Sequence, residues 1–179
     1  KHLNQYNDAT FPGSVLIQIG AGDAEQWEAA SAEWKDKITT MQHRTPYELR
    51  VHIYQGRHLP AQDFNGLCDP YIKINFNGLE GRETEHQSKT CDPKFYKTIA
   101  FDCALPAIAY APQINLQVWD HDLPPKSPDY IGCFNYELKN AELSRPDDLD
   151  EGSPPDPKWF QLMREQPGDS EGEILASFE

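Results

Sequence analysis

The stretch DFNGLCDPYIKINF, residues 63–76, contains a loop with two aspartates followed by a segment with a strand pattern. In that segment Ile72, Ile74 and Phe76 alternate with polar residues, which is typical of a strand with one buried face. A second stretch, QINLQVWDHDLPPKSPD at residues 113–129, has the opposite order, because its strand pattern precedes three aspartates. We therefore expect two strands whose loops place acidic side chains at one end of the molecule.

Other segments with strand patterns surround these two. Leu49, Val51 and Ile53 alternate with polar residues within residues 47–54. The remaining candidates are residues 82–90, expected at a sheet edge, and 98–103, 130–138, 159–163 and 173–178. Short strands separated by Gly- and Pro-rich turns predict an all-β fold, an eight-stranded antiparallel β-sandwich over residues 47–179. Residues 139–157 are acidic and rich in proline, and we interpret them as a solvated surface insertion.

Residues 1–46 form a separate N-terminal extension with an amphipathic helix at about 23–42. Asp23 followed by Gln26 fits a capping box. Apolar side chains then recur at three- and four-residue steps, namely Trp27, Ala30, Trp34, Ile38 and Met41. We expect this stripe to pack on the following domain, with a partner-binding helix as the alternative. The apolar run at residues 14–20 is a candidate for an extra strand.

Charge and composition exclude several classes of partner. The net charge is -13 and the isoelectric point is about 4.8. Nucleic acid is therefore not expected as a partner, because its binding needs a basic surface. An anionic membrane would repel the chain unless its charge were reversed locally.

The four cysteines are Cys68, Cys91, Cys103 and Cys133. They show no zinc-like spacing, and their positions in or beside strands favour reduced thiols in a cytosolic setting. We expect no signal peptide, and the sequence has no apolar run long enough to span a bilayer. It begins without Met and stops after a strand pattern, so we expect a fragment of a larger protein.

Five aspartates on two loops suit a cation site better than a core. They are Asp63, Asp69, Asp120, Asp122 and Asp129. Without a cation they would repel one another and resist desolvation. Calcium takes about six to eight oxygen ligands, mainly carboxylates, carbonyls and water. The pattern therefore predicts a hard-cation site, although Asp69-Pro70 on its own would also fit a simple turn.

These residues resemble the C2 domain family. The resemblance rests on the order and spacing of four motifs, which are Asp69-Pro70-Tyr71, Lys89-Thr90-x-x-Pro93-x-Phe95, Val118-Trp119-Asp120-x-Asp122 and Asp129-x-x-Gly132. It implies that the five aspartates bind two or three Ca²⁺ ions. Ser127 is a candidate further ligand of an outer ion, although it would also fit an ordinary loop serine. The resemblance also implies an anionic phospholipid membrane as the partner.

A narrower resemblance is to a central C2 domain of the ferlins. It rests on Tyr54-Gln55-Gly56-Arg57-His58-Leu59, on Trp159-Phe160-x-Leu162 and on the closing segment 172–179. It implies a tail-anchored protein of vesicle fusion or membrane repair, exposed at the cytoplasmic face of membranes, with fusion-machinery proteins as further partners. It also implies the permuted strand order called type II, in which the first and last strands pair.

The two loops also contain candidates for membrane contact. Phe64, Leu67 and Leu123 are apolar residues at the predicted tips, although the two leucines could instead fold back onto the rim of the sandwich. Lys126 could touch a headgroup or remain solvated. The three prolines between Asp122 and Asp129 stiffen this loop, which could hold Asp129 in position or move it out of reach.

No nucleophile, base or phosphate-loop motif has a supporting context, so catalysis is not expected. The sequence predicts a calcium-dependent phospholipid-binding C2 module of a ferlin-like protein that acts in membrane fusion or exocytosis. Two alternatives stay open. One is a calcium-independent protein-interaction domain, and the other is a targeting domain of a lipid-modifying enzyme or kinase.

Overall fold

The computed structural model describes residues 15, 17, 19–61, 66–79, 81–143, 153–163 and 172–179. In these ranges the chain forms one α-helix, two 3-10 turns (Ile108–Tyr110 and Leu138–Asn140) and eight strands. The helix is α1 (Ala24–Gln42), and the strands are β1 (Thr45–Arg57), β2 (Pro70–Asn75), β3 (Arg82–Glu83), β4 (Lys94–Leu105), β5 (Ile114–Asp120), β6 (Asp129–Tyr136), β7 (Lys158–Gln161) and β8 (Glu173–Phe178).

The strands form two four-stranded antiparallel sheets. Sheet A has the order β4-β1-β8-β7, and sheet B has the order β3-β2-β5-β6. The first and last strands are neighbours, since Val51 lies opposite Phe178 and Ile53 lies opposite Ala176. The predicted eight-stranded sandwich and its permuted strand order are therefore confirmed.

The core lies between the two sheets. Its buried members come from the alternating positions of the strands, including Val51, Ile53, Ile72, Ile74, Leu116, Val118, Ile174 and Ala176. Burying each large aliphatic side chain contributes about 1.5–3 kcal/mol. Stacked aromatic rings join the sheets at one side, where Phe134 lies 4.8 Å from Phe160 and Tyr136 lies 3.8 Å from Phe178 between ring centroids.

The edge strand predicted at residues 82–90 is much shorter than expected. Only Arg82–Glu83 pairs regularly with β2. Beyond it, the amides of Thr84 and Gln87 donate single hydrogen bonds to the carbonyls of Ile72 and Pro70 at 2.9 Å. The segment therefore follows β2 without continuing the ladder, because it carries few β-branched or aromatic residues that would pack on a sheet face.

Helix α1 begins and ends close to the predicted bounds. Oδ1 of Asp23 accepts from the Gln26 amide at 2.9 Å, and the Asp23 amide donates to Oε1 of Gln26 at 3.3 Å, which completes the predicted capping box. No residue of α1 is buried, and Trp27 is 68% exposed. Trp34, Ile38 and Met41 are partly buried, although no residue of the stripe belongs to the core of the sandwich. The expected packing of this stripe on the following domain therefore stays a prediction.

Two further predicted segments lie partly outside the described residues. Val15, Ile17 and Ile19 are exposed and belong to no strand, whereas residues 14, 16 and 18 of the predicted extra strand are not described. Residues 144–152 of the acidic insertion are likewise not described. Within the described ranges no helix has the length and apolar character needed to cross a bilayer.

Candidate cation site at one end of the sandwich

Three strand ends of sheet B meet at one edge of the sandwich. Pro70, the first residue of β2, lies opposite Asp120, the last residue of β5, and Asp120 lies opposite Asp129 at the start of β6. Asp69 directly precedes β2, and Asp122 follows β5 by two residues. Antiparallel pairing therefore gathers four of the five predicted aspartates at this edge, although long loops separate them in the sequence.

Asp69 and Asp120 are held together by backbone donors. The Asp120 side chain is fully buried, and its Oδ1 accepts from the Asp69 amide at 2.5 Å. The Lys89 amide donates to Oδ1 of Asp69 at 2.5 Å, and the His121 amide donates to the Asp69 carbonyl at 3.0 Å. Because buried charge is stable only when hydrogen-bonded or paired, these contacts fix the position of both carboxylates.

Asp122 and Asp129 share one ammonium group. Nζ of Lys126 lies 2.8 Å from Oδ1 of Asp122 and 3.0 Å from Oδ2 of Asp129. The hydrogen bond to Asp122, followed by the one to Asp129, raises the pKa of Lys126 above its usual range. The proline-containing loop therefore keeps Asp129 within reach of the same cation as Asp122.

The Oδ2 oxygen of Asp122 is buried at this end of the sandwich. The Asp122 side chain is 10% exposed, and its Oδ2 has no hydrogen-bond partner among the described residues. A buried anionic oxygen left in this state costs about 1–3 kcal/mol or more. Lys126 reaches only the other oxygen, so the site has capacity for a further positive group.

The remaining predicted residues occupy different environments. Asp63 and Phe64 lie outside the described residues. Ser127 is exposed, Leu123 is 77% exposed, and Leu67 is partly buried. Leu123 therefore does not fold back onto the rim, which was one of the two outcomes considered for it.

The described carboxylates form two pairs rather than one cluster. Within the part of the chain that the structure describes, no group of three or more His, Cys, Asp or Glu side chains is arranged to hold a metal ion. Asp69 pairs with Asp120 through a backbone amide, whereas Asp122 pairs with Asp129 through Lys126. The predicted set of five ligands is thus only partly assembled in the described residues.

His121, which lies between two of the aspartates, is directed elsewhere. Its ring stacks on His86 at 4.2 Å between centroids and meets the Tyr71 ring edge-on at 6.4 Å. The His121 imidazole therefore packs against two other rings.

Two contributions at this end were missed by the sequence reasoning. Lys126 was considered as a headgroup contact or a solvated residue, although its spacing of four residues from Asp122 and three from Asp129 is a signal for ion pairing. The Lys89 amide carried no such signal. Its bond to Asp69 spans 20 positions and arises because the segment after β3 returns alongside the start of β2.

The comparisons with known proteins identify the same type of domain. Residues 47–162 match the family model of the C2 domain. Mouse myoferlin is 34% identical over 98 residues, which are 54% of this chain and 5% of myoferlin. Multiple C2 domain and transmembrane region protein 7 of Arabidopsis thaliana is 27% identical over 144 residues, which are 79% of this chain and 13% of that protein. The chain therefore spans only a small part of these curated relatives.

A solved structure shares the fold. The calcium-bound pair of C2 domains of Extended-Synaptotagmin 2 aligns with a TM-score of 0.56 at 20% identity, covering 76% of this chain and 46% of that chain. At this level of identity the likeness concerns the architecture of the sandwich and not the identity of its ligands.

Proposed function

Since this chain belongs to the C2 domain family, we propose that it is a calcium-dependent phospholipid-binding module. The observation that carries the proposal is the pair of carboxylates on Asp122 and Asp129, which already share one cationic group, Lys126. A site that stabilises an ammonium between two aspartates has the charge and the oxygen donors that a hard cation needs.

The residues present fit calcium. Asp69, Asp120, Asp122 and Asp129 lie at the adjoining strand ends, and the buried Oδ2 of Asp122 has no hydrogen-bond partner among the described residues. Together with Asp63 these aspartates would hold the ions, and Ser127 is included as a further ligand of an outer ion. Bound calcium would supply positive charge and open coordination positions for lipid phosphate. We propose two or three ions.

The membrane step follows from charge. The chain has a net charge of -13, so an anionic bilayer repels it. Cations bound at the tip cancel the local negative charge and let this end approach the headgroups. Leu123 is 77% exposed next to the carboxylates and is available for insertion, where full burial of one leucine contributes about 1.5–3 kcal/mol. Phe64 and Leu67 are the other proposed insertion residues.

The wider role rests on the ferlin relatives. Mouse myoferlin matches over 98 residues, and a plant protein named for multiple C2 domains and a transmembrane region matches over 144. We propose that this module acts at the cytoplasmic face of a membrane within a larger ferlin-like protein of vesicle fusion or exocytosis, together with fusion-machinery proteins. It is not proposed to be an enzyme.

Calorimetric titration with Ca²⁺ and co-sedimentation with phosphatidylserine-containing vesicles test the proposal. We expect heat of binding, and pelleting that a chelator abolishes. The double variant Asp122→Asn, Asp129→Asn should lose both, whereas Asp102→Asn, at an exposed position in β4, should retain them. Absence of both signals in the wild-type protein would refute calcium-dependent lipid binding.

The exposed Trp27 favours a second candidate function, calcium-independent binding of a protein partner through α1. In this case deletion of residues 1–46 would abolish capture of a fusion-machinery protein. The pair of substitutions Asp120→Asn and Asp122→Asn would leave that capture unchanged.

A further inference from the structure

Two cysteine side chains approach each other beside the candidate cation site. Sγ of Cys68 lies 3.9 Å from Sγ of Cys91, although the residues are 23 positions apart in the chain. Both are in the thiol form. Cys68 directly precedes Asp69, and Cys91 lies between β3 and β4. The sulfurs are close to van der Waals contact. Rotation of the two side chains would bring them nearer to the S–S bond length of about 2.0 Å.

The backbone holds these two cysteines in register. The Thr90 amide donates to the Cys68 carbonyl at 2.8 Å, and the Leu59 amide donates to the Cys91 carbonyl at 3.0 Å. One residue further along, the Lys89 amide donates to Asp69. These hydrogen bonds therefore fix the two segments side by side.

The two thiols differ in exposure in a way that suits stepwise oxidation. Cys68 is fully buried, and its thiol donates to the Thr90 carbonyl at 3.2 Å. Cys91 is only partly buried, so a small oxidant can reach it first. An accessible sulfur next to a buried one is the arrangement in which the first is oxidised and the second resolves it.

We propose that Cys68 and Cys91 form a dithiol modification site that a hydroperoxide or a low-molecular-weight disulfide converts to an intramolecular disulfide. With a hydroperoxide, the Cys91 thiolate attacks the peroxide oxygen and becomes a sulfenic acid, while the O–O bond breaks and the leaving alkoxide or hydroxide takes a proton. The Cys68 sulfur then attacks the sulfenic sulfur, the S–S bond forms, and water leaves. Two thiols are oxidised and one peroxide is reduced. With a disulfide reagent, two exchange steps release two thiols.

The other two cysteines provide internal controls. Burial, followed by the nearby Asp102 carboxylate, raises the pKa of the Cys103 thiol, and its Sγ lies 3.6 Å from the Tyr47 carbonyl. A raised thiol pKa lowers the thiolate fraction and slows oxidation. Cys133 is partly buried in β6. Neither has a cysteine partner at the distance seen for Cys68 and Cys91 among the described residues.

The test uses the whole folded chain, reduced and then exposed to hydrogen peroxide or glutathione disulfide before alkylation. Before alkylation, we expect the mass of the oxidised chain to lie about 2 Da below that of the reduced chain, for two hydrogens. After trypsin, peptide 58–73 should be linked to peptide 90–94, with Cys103 and Cys133 alkylated. The link should persist in the double variant Cys103→Ser, Cys133→Ser and disappear in Cys91→Ser, whose substitution lies at a partly buried position.

A separate outcome would overturn the inference. If the wild-type chain under either oxidant yields Cys68 and Cys91 only as alkylated thiols or as separately oxidised residues, without the linked peptides, the pair is not a disulfide-forming site. The measurement needs no calcium and no lipid, so its result is independent of the proposed function.

Discussion

Nζ of Lys126 lies 2.8 Å from Oδ1 of Asp122, and the same nitrogen lies 3.0 Å from Asp129. The lysine therefore occupies the position between two proposed calcium ligands. A divalent ion that binds both aspartates has to compete with this ammonium. Under the proposed function, Lys126 links the charge of the tip to its affinity for calcium.

Lys126→Gln should raise the calcium affinity about two- to fivefold, as expected for removing a partly exposed competing ion pair. Calorimetric titration at physiological ionic strength gives the ratio. Lys139→Gln is the matched control, because Lys139 pairs at 2.5 Å with Glu137 and not with the tip carboxylates. Equal affinities for wild type and Lys126→Gln would show that the lysine does not compete.

Asp120→Ala should lower the free energy of unfolding by about 1–3 kcal/mol, because the Asp69 amide loses its acceptor in a buried place. Asp120→Asn keeps a side-chain oxygen of the same shape and should cost less. Urea unfolding with chelator present measures both. A smaller loss for alanine than for asparagine would contradict this role of the hydrogen bond.

Gly172→Ala should destabilise the fold by more than about 1 kcal/mol. Gly172 has φ of +89°, and a Cβ there would lie 2.8 Å from the carbonyl oxygens of Arg57 and His58. Gly78 is the matched control, since it has φ of +67° but no atom within 4 Å of such a Cβ. Urea midpoints should therefore fall further for Gly172→Ala than for Gly78→Ala, and the reverse order would exclude the steric explanation.

Trp27→Ala should change the free energy of unfolding by less than about 0.5 kcal/mol, because Trp27 is 68% exposed and no residue of α1 is buried. Ile174→Ala, in the core, should cost about 2–5 kcal/mol. Chemical denaturation followed by circular dichroism compares the two. A loss above about 1 kcal/mol for Trp27→Ala would mean that the helix stabilises the sandwich.

The strands were predictable because their side chains obey a local rule. Alternation at Ile72 and Ile74, and at Leu116 and Val118, marks the face that the structure buries. The length of the strand at residues 82–90 was overestimated. Its polar residues do not mark a buried face, so the neighbouring strand decides how many of them pair. The apolar stripe of α1 shows another limit, since helical periodicity shows which side is apolar but not how deeply a neighbour covers it.

The resemblance to C2 domains, and to ferlins among them, came from motifs and is confirmed by the family match and by myoferlin. The acidic residues could also be identified from the sequence, because the aspartates cluster within single loops. Which of these aspartates meet in space could not be predicted. Asp69 and Asp120 meet across 51 positions through a strand pairing that no short pattern encodes.

Sequence by itself thus determined the number of strands, the class of fold and the supply of oxygen donors, because periodicity and composition act over a few neighbouring residues. Tertiary structure alone decided that Lys126 lies between Asp122 and Asp129, and that Cys68 meets Cys91. Such contacts depend on how loops are positioned by distant strands. Their geometry is set by the packing of the whole sandwich and not by any one segment.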